Sequence, residues 1–183
     1  MSEFNKLIEG HYQLAKNGEF AELLQEWRRL PLLAIRCSRF QKETSGWSFL
    51  HQAAYFGHEQ ACRTLIGLGA VVALPAKDRK TPIDVAIERG HRQVAELLRQ
   101  GLESEHSLWQ PPRDANLLPS SCLWNEPNRR IAEQTLYVAY GGGVVIIPKG
   151  DCYFVDSYER VLVGWHGSYN PPMDMDHDSM IAE

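Results

Sequence analysis

The sequence predicts an α+β fold in which a short helical-repeat solenoid packs against a small antiparallel β-meander. Three observations support this prediction. Two stretches of the chain match each other at a constant offset of 33 residues. The segment before them, residues 4–29, carries apolar residues at helical spacing. After residue 135, short runs of β-branched and aromatic residues alternate with turn residues, which is typical of antiparallel strands.

The N-terminal segment, residues 4–29, is predicted to form two helices separated at Asn17-Gly18. The pair resembles a degenerate first repeat, in which Gly18 takes the place that Gly57 holds in the next one. The step between these glycines is 39 residues instead of 33, so about six extra residues are expected within residues 30–45. A terminal repeat is expected to be atypical because its outer face meets water.

Two clear repeats follow the predicted N-terminal cap. Gly57 and Gly90 occupy matching positions after the first helix of each repeat, where a left-handed residue commonly ends a helix. Thr81-Pro82 suits the start of such a helix, because threonine can cap it and proline is tolerated in its first turn. Four unlike residue types recurring at one offset are hard to obtain by chance. The matched pairs are Ala53 with Ala86, Gly57 with Gly90, His58 with His91, and Leu65 with Leu98.

This pattern resembles the ankyrin repeat, a helix-turn-helix unit preceded by a hairpin. The Leu50-His51-x-Ala53-Ala54 run and the Thr81-Pro82 start match the family's motifs. Three positions depart from them: Ser48-Phe49 replaces Thr-Pro, Asp84 replaces a histidine, and Arg79 replaces the hairpin glycine. These departures leave the hairpin geometry before Thr81 open.

Three histidines, His51, His58 and His91, invite a metal-binding or catalytic interpretation. The resemblance implies instead that such histidines brace adjacent loops through hydrogen bonds. We therefore expect no metal site and no catalytic site among them.

The C-terminal segment is predicted to hold about four strands joined by tight turns, after an irregular connection over residues 103–121 and a short helix within residues 126–134. The predicted domains are residues 1–105, the repeat domain with its cap, and residues 106–183, a β-rich segment with an acidic tail. We expect the second to cover the exposed end of the last repeat, since neither has a large core of its own. The strand runs are 136–140, 144–147, 152–155 and 161–165.

Several features of residues 106–183 suggest chemistry. The Gly141–Gly143 run is followed by strand residues, so it favours a hairpin over a phosphate-binding loop. His166 with Asp151 and Asp156 would be the acid-base set of an enzyme, but no nucleophile motif accompanies them. Residues 165–172 suit either a recognition loop or a packed strand end. The acidic tail lacks the pattern of a calcium loop.

Composition narrows the function classes. The chain has 183 residues and a net charge of −4, which gives no overall attraction to nucleic acid or anionic membranes. No apolar run approaches the roughly 20 residues that a membrane helix needs, and the start does not resemble a signal peptide. Four separated cysteines predict reduced thiols and a cytoplasmic protein. We expect no cofactor.

The resemblance implies a protein-binding module without catalysis. In ankyrin proteins the partner contacts the hairpin tips and the inner helices. The aromatic residues of this surface are expected to supply most of the binding energy, or else to pack within the protein. Two alternatives are a small inhibitor or immunity-type protein that blocks an enzyme, and an enzyme with its active site in the C-terminal segment. The predicted partner-binding residues are Trp47, Tyr55, Phe56, Lys77, Asp78, Lys80, Glu88 and Arg89.

Overall fold

A computed structural model of the chain describes residues 2–173, 175–176 and 178–181. The chain divides into two compact units, residues 1–102 and residues 103–183. In the described part of the chain, every helix is too short or too polar to cross a membrane.

The first unit consists of helices arranged in two rows. The helices are α1 (Glu3–Lys16), α2 (Phe20–Arg29), α3 (Pro31–Ser38), α4 (Phe49–Phe56), α5 (Glu59–Leu68), α6 (Pro82–Glu88) and α7 (Arg92–Leu102). An inner row contains α1, α4 and α6, and an outer row contains α3, α5 and α7, with neighbours in each row packed against one another.

Capping residues fix where the inner helices begin. Ser48 accepts a hydrogen bond from the backbone of His51, and the His51 ring accepts one from the backbone of Ser48, which closes a capping box at the start of α4. Thr81 and Asp84 form the same reciprocal arrangement at α6. Asp84 therefore replaces the expected histidine without loss of the cap. Gly57, at φ +66°, ends α4 in the left-handed conformation that the sequence predicts.

The extra residues of the cap form a helix that the sequence analysis did not predict. Pro31 opens α3 at the first helical position, and Leu30 before it leaves the helical region with φ −125°. The cap therefore contains three helices, α1, α2 and α3, instead of the two that the sequence predicts. The Ser38 hydroxyl donates a hydrogen bond to the carbonyl of Leu68 at 3.2 Å, which ties the end of α3 to the end of α5.

The core of the first unit lies between the two rows. Four aromatic rings pack edge to face or tilted, with centroids 5.3 to 5.9 Å apart. Full burial of each large apolar side chain contributes about 1.5–3 kcal/mol. The four rings are Tyr12, Trp27, Phe40 and Phe49, and the fully buried apolar residues of this unit include Phe20, Leu23, Leu50, Leu65, Ile66 and Leu98.

The second unit confirms the α+β class, with a strand arrangement that differs from one continuous meander. The strands are β1 (Ser120–Ser121), β2 (Asn128–Ile131), β3 (Leu136–Tyr140), β4 (Gly143–Ile147), β5 (Cys152–Val155) and β6 (Val161–Leu162). One sheet has the order β1-β6-β5-β2, with β1 parallel to β6 and the other pairs antiparallel, and β3 and β4 form a separate antiparallel hairpin. The helix predicted within residues 126–134 is wrong, because residues 128–131 form β2 and pair with β5.

A small apolar core joins these two sheets. Val138 and Ile147 of the hairpin pack with Val161 of β6 and with Val163, which follows that strand, and all four are buried. The buried indole of Trp109 donates a hydrogen bond to the carbonyl of Val163 at 2.8 Å. The sheet segments and the connection before them therefore share one core within the second unit.

Candidate functional site

Two hairpins precede α4 and α6 and lie side by side in the first unit. They span residues 41–48 and 76–81, and the backbone N–H of Lys77 donates a hydrogen bond to the carbonyl of Ser45 at 3.0 Å. Their tips therefore form one continuous edge. The predicted binding residues on these hairpins are Trp47, Lys77, Asp78 and Lys80.

Arg79 adopts the hairpin conformation that a glycine usually supplies. Its φ is +67°, close to the +75° of Gly46, which stands 33 residues earlier. A non-glycine residue in this region carries a strain of about 1–2 kcal/mol. The second hairpin thus keeps the geometry of the first, which resolves the point that the sequence left open.

Two histidines connect the repeats through backbone carbonyls. The Nδ1 atom of His51 accepts the N–H of Ser48 at 3.1 Å, so the ring proton lies on Nε2, which donates to the carbonyl of Lys80 at 3.0 Å. Burial lowers the pKa of His51, and the Lys80 carbonyl and Asp78 oppose that shift.

The second of these histidines, His91, places its Nε2 atom 3.1 Å from the carbonyl of Tyr55. His58, by contrast, caps its own helix, because its ring accepts the N–H of Ala61 at 3.2 Å. The bracing role that the resemblance implies is confirmed for His51 and His91. All three rings are engaged in hydrogen bonds of the scaffold.

Equivalent positions of the two repeats carry pairs of different chemistry. Trp47 and Tyr55 pack edge to face, with ring centroids 6.1 Å apart. Lys80 and Glu88 stand 33 residues after them, and the lysine Nζ lies 2.7 Å from the Glu88 carboxylate. One repeat thus presents an aromatic pair and the next presents an ion pair at the same place.

Arg89 joins these pairs into one surface. Its guanidinium carbon lies 4.3 Å from the centroid of the Tyr55 ring, a cation–π contact between the two repeats. We call the surface formed by Trp47, Tyr55, Lys80, Glu88 and Arg89 the hairpin face. All five were predicted from the sequence, and the structure brings them together.

The other three predicted residues have different surroundings. Lys77 and Asp78 are exposed at the tip of the second hairpin, where the Asp78 carboxylate accepts the N–H of Lys80 at 3.1 Å. The Phe56 ring lies against Gly18 of the cap, since a Cβ atom at Gly18 would be 2.9 Å from it. Phe56, 40% exposed, therefore packs against the cap as well as facing solvent.

A recess of about 250 Å³ continues the hairpin face toward the cap. Trp47 forms part of its wall, and the buried Gln52 donates a hydrogen bond to the hydroxyl of Tyr12 at 3.0 Å. Lys16 and Lys42 also line it. Sequence reasoning missed Lys16, Gln52 and Tyr12, although Gln52 precedes Tyr55 by three residues and so shares its helix face.

The acid-base set considered for the C-terminal segment is not assembled. The Asp156 carboxylate is buried and accepts hydrogen bonds from the side chain and backbone of Arg160 at 2.9 and 3.0 Å. Asp151 accepts a hydrogen bond from the hydroxyl of Tyr169 at 2.8 Å. His166 makes no hydrogen bond to either carboxylate among the described residues.

No group of three or more His, Cys, Asp or Glu side chains in the described residues is arranged to hold a metal ion. Asp174 and His177 of the acidic tail, for which the sequence predicts no calcium loop, lie outside the described residues. Gly141 and Gly142 form the turn between β3 and β4, and Gly143 begins β4, which agrees with a hairpin.

Comparison with known proteins agrees with the repeat pattern. The family model for ankyrin repeats, in three copies, matches residues 12–106. Calmodulin-binding transcription activator 3 of Arabidopsis thaliana is 34% identical over 94 residues, which is 48% of this chain and 9% of that protein. E3 ubiquitin-protein ligase Ufd4 of Drosophila melanogaster is 42% identical over 67 residues, 33% of this chain and 2% of the ligase. The chain thus covers less than a tenth of the length of either relative.

Proposed function

Because the chain belongs to the ankyrin-repeat family, we propose that it binds a partner protein through the hairpin face, without catalysis. Ankyrin repeats are generic protein-interaction modules. The observation that carries the proposal is the unbroken contact from Trp47 through Tyr55 to Arg89, which spans both repeats. Aromatic residues and arginine are the side chains most enriched in interface hot spots.

The hairpin face is held in place before any partner arrives. Tyr55 is restrained by Trp47 on one side and by Arg89 on the other, and the carbonyl of Tyr55 is engaged by His91. A side chain that is already ordered loses less conformational entropy on binding. This arrangement favours a rigid surface that a partner meets with little rearrangement.

The surroundings of the face indicate what the partner presents. Lys16 and Lys42 flank the recess beside Trp47, and Lys42 lies 2.7 Å from Glu9. Lys16 makes no ion pair among the described residues. We infer that an acidic side chain of the partner enters this recess, next to an apolar side chain that packs on Trp47.

The test has two stages. Affinity purification from the native host with mass spectrometry names the partner, and titration of the purified partner then measures Kd for the wild type and for Tyr55→Ala. We expect Tyr55→Ala to weaken binding at least tenfold, as for a hot-spot residue. Tyr137→Ala is the matched control, because Tyr137 is an exposed aromatic residue (49%) of the second unit.

The reverse pattern contradicts the proposal: an unchanged Kd for Tyr55→Ala together with weaker binding by Tyr137→Ala would move the interface to the second unit. Circular dichroism and the free energy of unfolding of each variant separate a loss of contact from a loss of fold. Phe56→Ala is a poorer probe, because removing its ring also removes packing against Gly18.

A further inference from the structure

The second unit contains a pocket of about 510 Å³ that the proposed function does not use. Its wall includes three tryptophans, a Pro-Pro step and a methionine. All the side chains that line it are uncharged. The residues that matter for its chemistry are Trp109, Trp124, Trp165, Asn170, Pro171 and Pro172.

Trp165 contributes an exposed ring to this pocket. The residue is 69% exposed, although an indole is among the largest apolar groups of a protein. The buried ring of Trp109 meets it edge to face, with centroids 5.5 Å apart. His166, the next residue, has φ +69°, a conformation that costs energy for a non-glycine residue. The exposed Trp165 ring is therefore held in place by the buried ring of Trp109.

Several side chains around the pocket can donate hydrogen bonds. The indole N–H of Trp109 is already used, since it donates to the carbonyl of Val163. The indole N–H groups of Trp124 and Trp165 and the side-chain amide of Asn170 make no hydrogen bond to other described residues. A ligand that fits this surface has flat apolar groups, carbonyl acceptors and no charge.

We propose that this pocket binds a proline-rich segment of a partner protein in the polyproline II conformation. Proline rings pack on indole faces, and a proline segment offers carbonyl acceptors without N–H donors, which complements the free donors of Trp124, Trp165 and Asn170. The chain's own Pro171 and Pro172 already form part of the wall. A quaternary ammonium ligand fits less well, because no carboxylate lines the pocket.

The experiment titrates a synthetic peptide of ten prolines into the full chain and follows the five tryptophan indole N–H signals in ¹⁵N–¹H NMR spectra. We expect saturable shifts of the Trp124 and Trp165 signals. A glycine-serine peptide of the same length should bind at least tenfold more weakly. Shifts confined to Trp27 and Trp47, or none up to millimolar peptide, would overturn the proposal.

A variant pair tests the same site by calorimetry. Trp165→Ala removes an exposed ring and should weaken binding of the proline peptide at least tenfold, whereas Tyr137→Ala should leave Kd unchanged. Equal affinity of wild type and Trp165→Ala would overturn the proposal, as would saturable binding of choline in place of the peptide. If Trp165→Ala does not fold, the NMR titration of the wild type decides the matter.

Discussion

The guanidinium of Arg89 lies over the ring of Tyr55, with its central carbon 4.3 Å from the ring centroid. Arg89 follows α6 and Tyr55 belongs to α4, so the contact crosses from one repeat to the next. The same pair lies at the centre of the hairpin face. It therefore contributes both to the packing between repeats and to the order of the proposed binding surface.

A double-mutant cycle should detect this contact in the free protein. We expect Tyr55→Leu and Arg89→Met to show a coupling energy of about 0.5–1 kcal/mol, the value typical of a cation–π contact at an exposed site. The free energy of unfolding in urea provides the measurement. A cycle between Tyr55→Leu and Arg63→Met serves as the control, because Arg63 pairs with Glu59 on α5. Coupling that is zero within error in both cycles contradicts the assignment.

Replacing Arg79 with glycine should stabilise the protein. The residue has φ +67°, and its exposed side chain gains little from that position. The glycine removes the strain from the folded state, and this gain exceeds the stabilisation that its conformational entropy gives to the unfolded chain. We therefore expect Arg79→Gly to raise the free energy of unfolding by about 0.5–1 kcal/mol.

The opposite change at the matching position is the control for Arg79. Gly46→Ala should destabilise, because its Cβ atom would lie 2.7 Å from the backbone nitrogen of Lys77. Urea unfolding of both variants measures the two effects. A loss of stability in Arg79→Gly would show that the arginine side chain contributes more than its backbone costs.

Stability should fall as the pH drops below 6.5, in part because of His51. Burial lowers the pKa of His51 from 6.5 in the folded protein. Between the unfolded and folded pKa values the unfolded chain binds the proton and the folded chain does not, so acid favours unfolding. Protonation of Nδ1 also removes its hydrogen bond from the N–H of Ser48.

NMR titration of the ring protons of His51 gives the pKa directly, and we expect a value below 6.5. Urea unfolding at pH 7, 6 and 5 gives the dependence of stability on pH. In His51→Ala the stability at pH 7 should be lower and its decline toward pH 5 should be shallower. A His51 pKa above 6.5 would be incompatible with a neutral, buried ring.

The four cysteines should fall into two reactivity classes. Burial raises the pKa of both Cys37 and Cys62 to about 12, so their thiols stay protonated and inaccessible. Cys122 and Cys152 are only half-buried. We expect iodoacetamide at pH 8 to label Cys122 and Cys152 in the native protein and all four residues in urea. Peptide mass spectrometry identifies the sites, and rapid native labelling of Cys37 or Cys62 would contradict the buried assignment.

The repeat part of the fold was predictable because its determinants are local and periodic. A cap, a small residue (Ala53 and Ala86) and a left-handed glycine recur at one offset, and each has a physical role that can be recognised without a structure. The exception is α3. Its signal is Pro31 followed by apolar residues, but the step from Gly18 to Gly57 exceeds one period, so the sequence predicts an insertion there instead of a helix.

The second unit was less predictable because its strands depend on distant partners. Arg129 and Arg130 have no strong local preference for a strand, yet they pair with Phe154 and Tyr153 of β5. The contact of Arg130 with Glu159 at 3.0 Å adds to that pairing. The parallel pairing of β1 with β6 joins residues about forty positions apart, which no turn signal announces. The same reason explains why the three tryptophans of the pocket could not be grouped from the sequence.

The site residues divide along similar lines. Trp47, Tyr55 and Arg89 could be assigned to the candidate site from the sequence because the repeat places them on one surface by position alone. Lys16 and Tyr12 were missed because the cap departs from the period, so their place beside Trp47 depends on how the cap packs. The sequence predicts that Phe56 faces a partner. Its contact with Gly18 could not be predicted, because that contact depends on how the cap packs against the repeats.

The exchange of Trp47 and Tyr55 for Lys80 and Glu88 at equivalent positions has an evolutionary consequence. In each pair the two side chains contact one another, and none of the four residues is fully buried. Selection can therefore replace one pair with the other while the solenoid stays folded. In each repeat these two positions can therefore change their side chains without unfolding the repeat. A duplicated repeat keeps its fold, and substitutions at the two positions can then give it a new binding specificity.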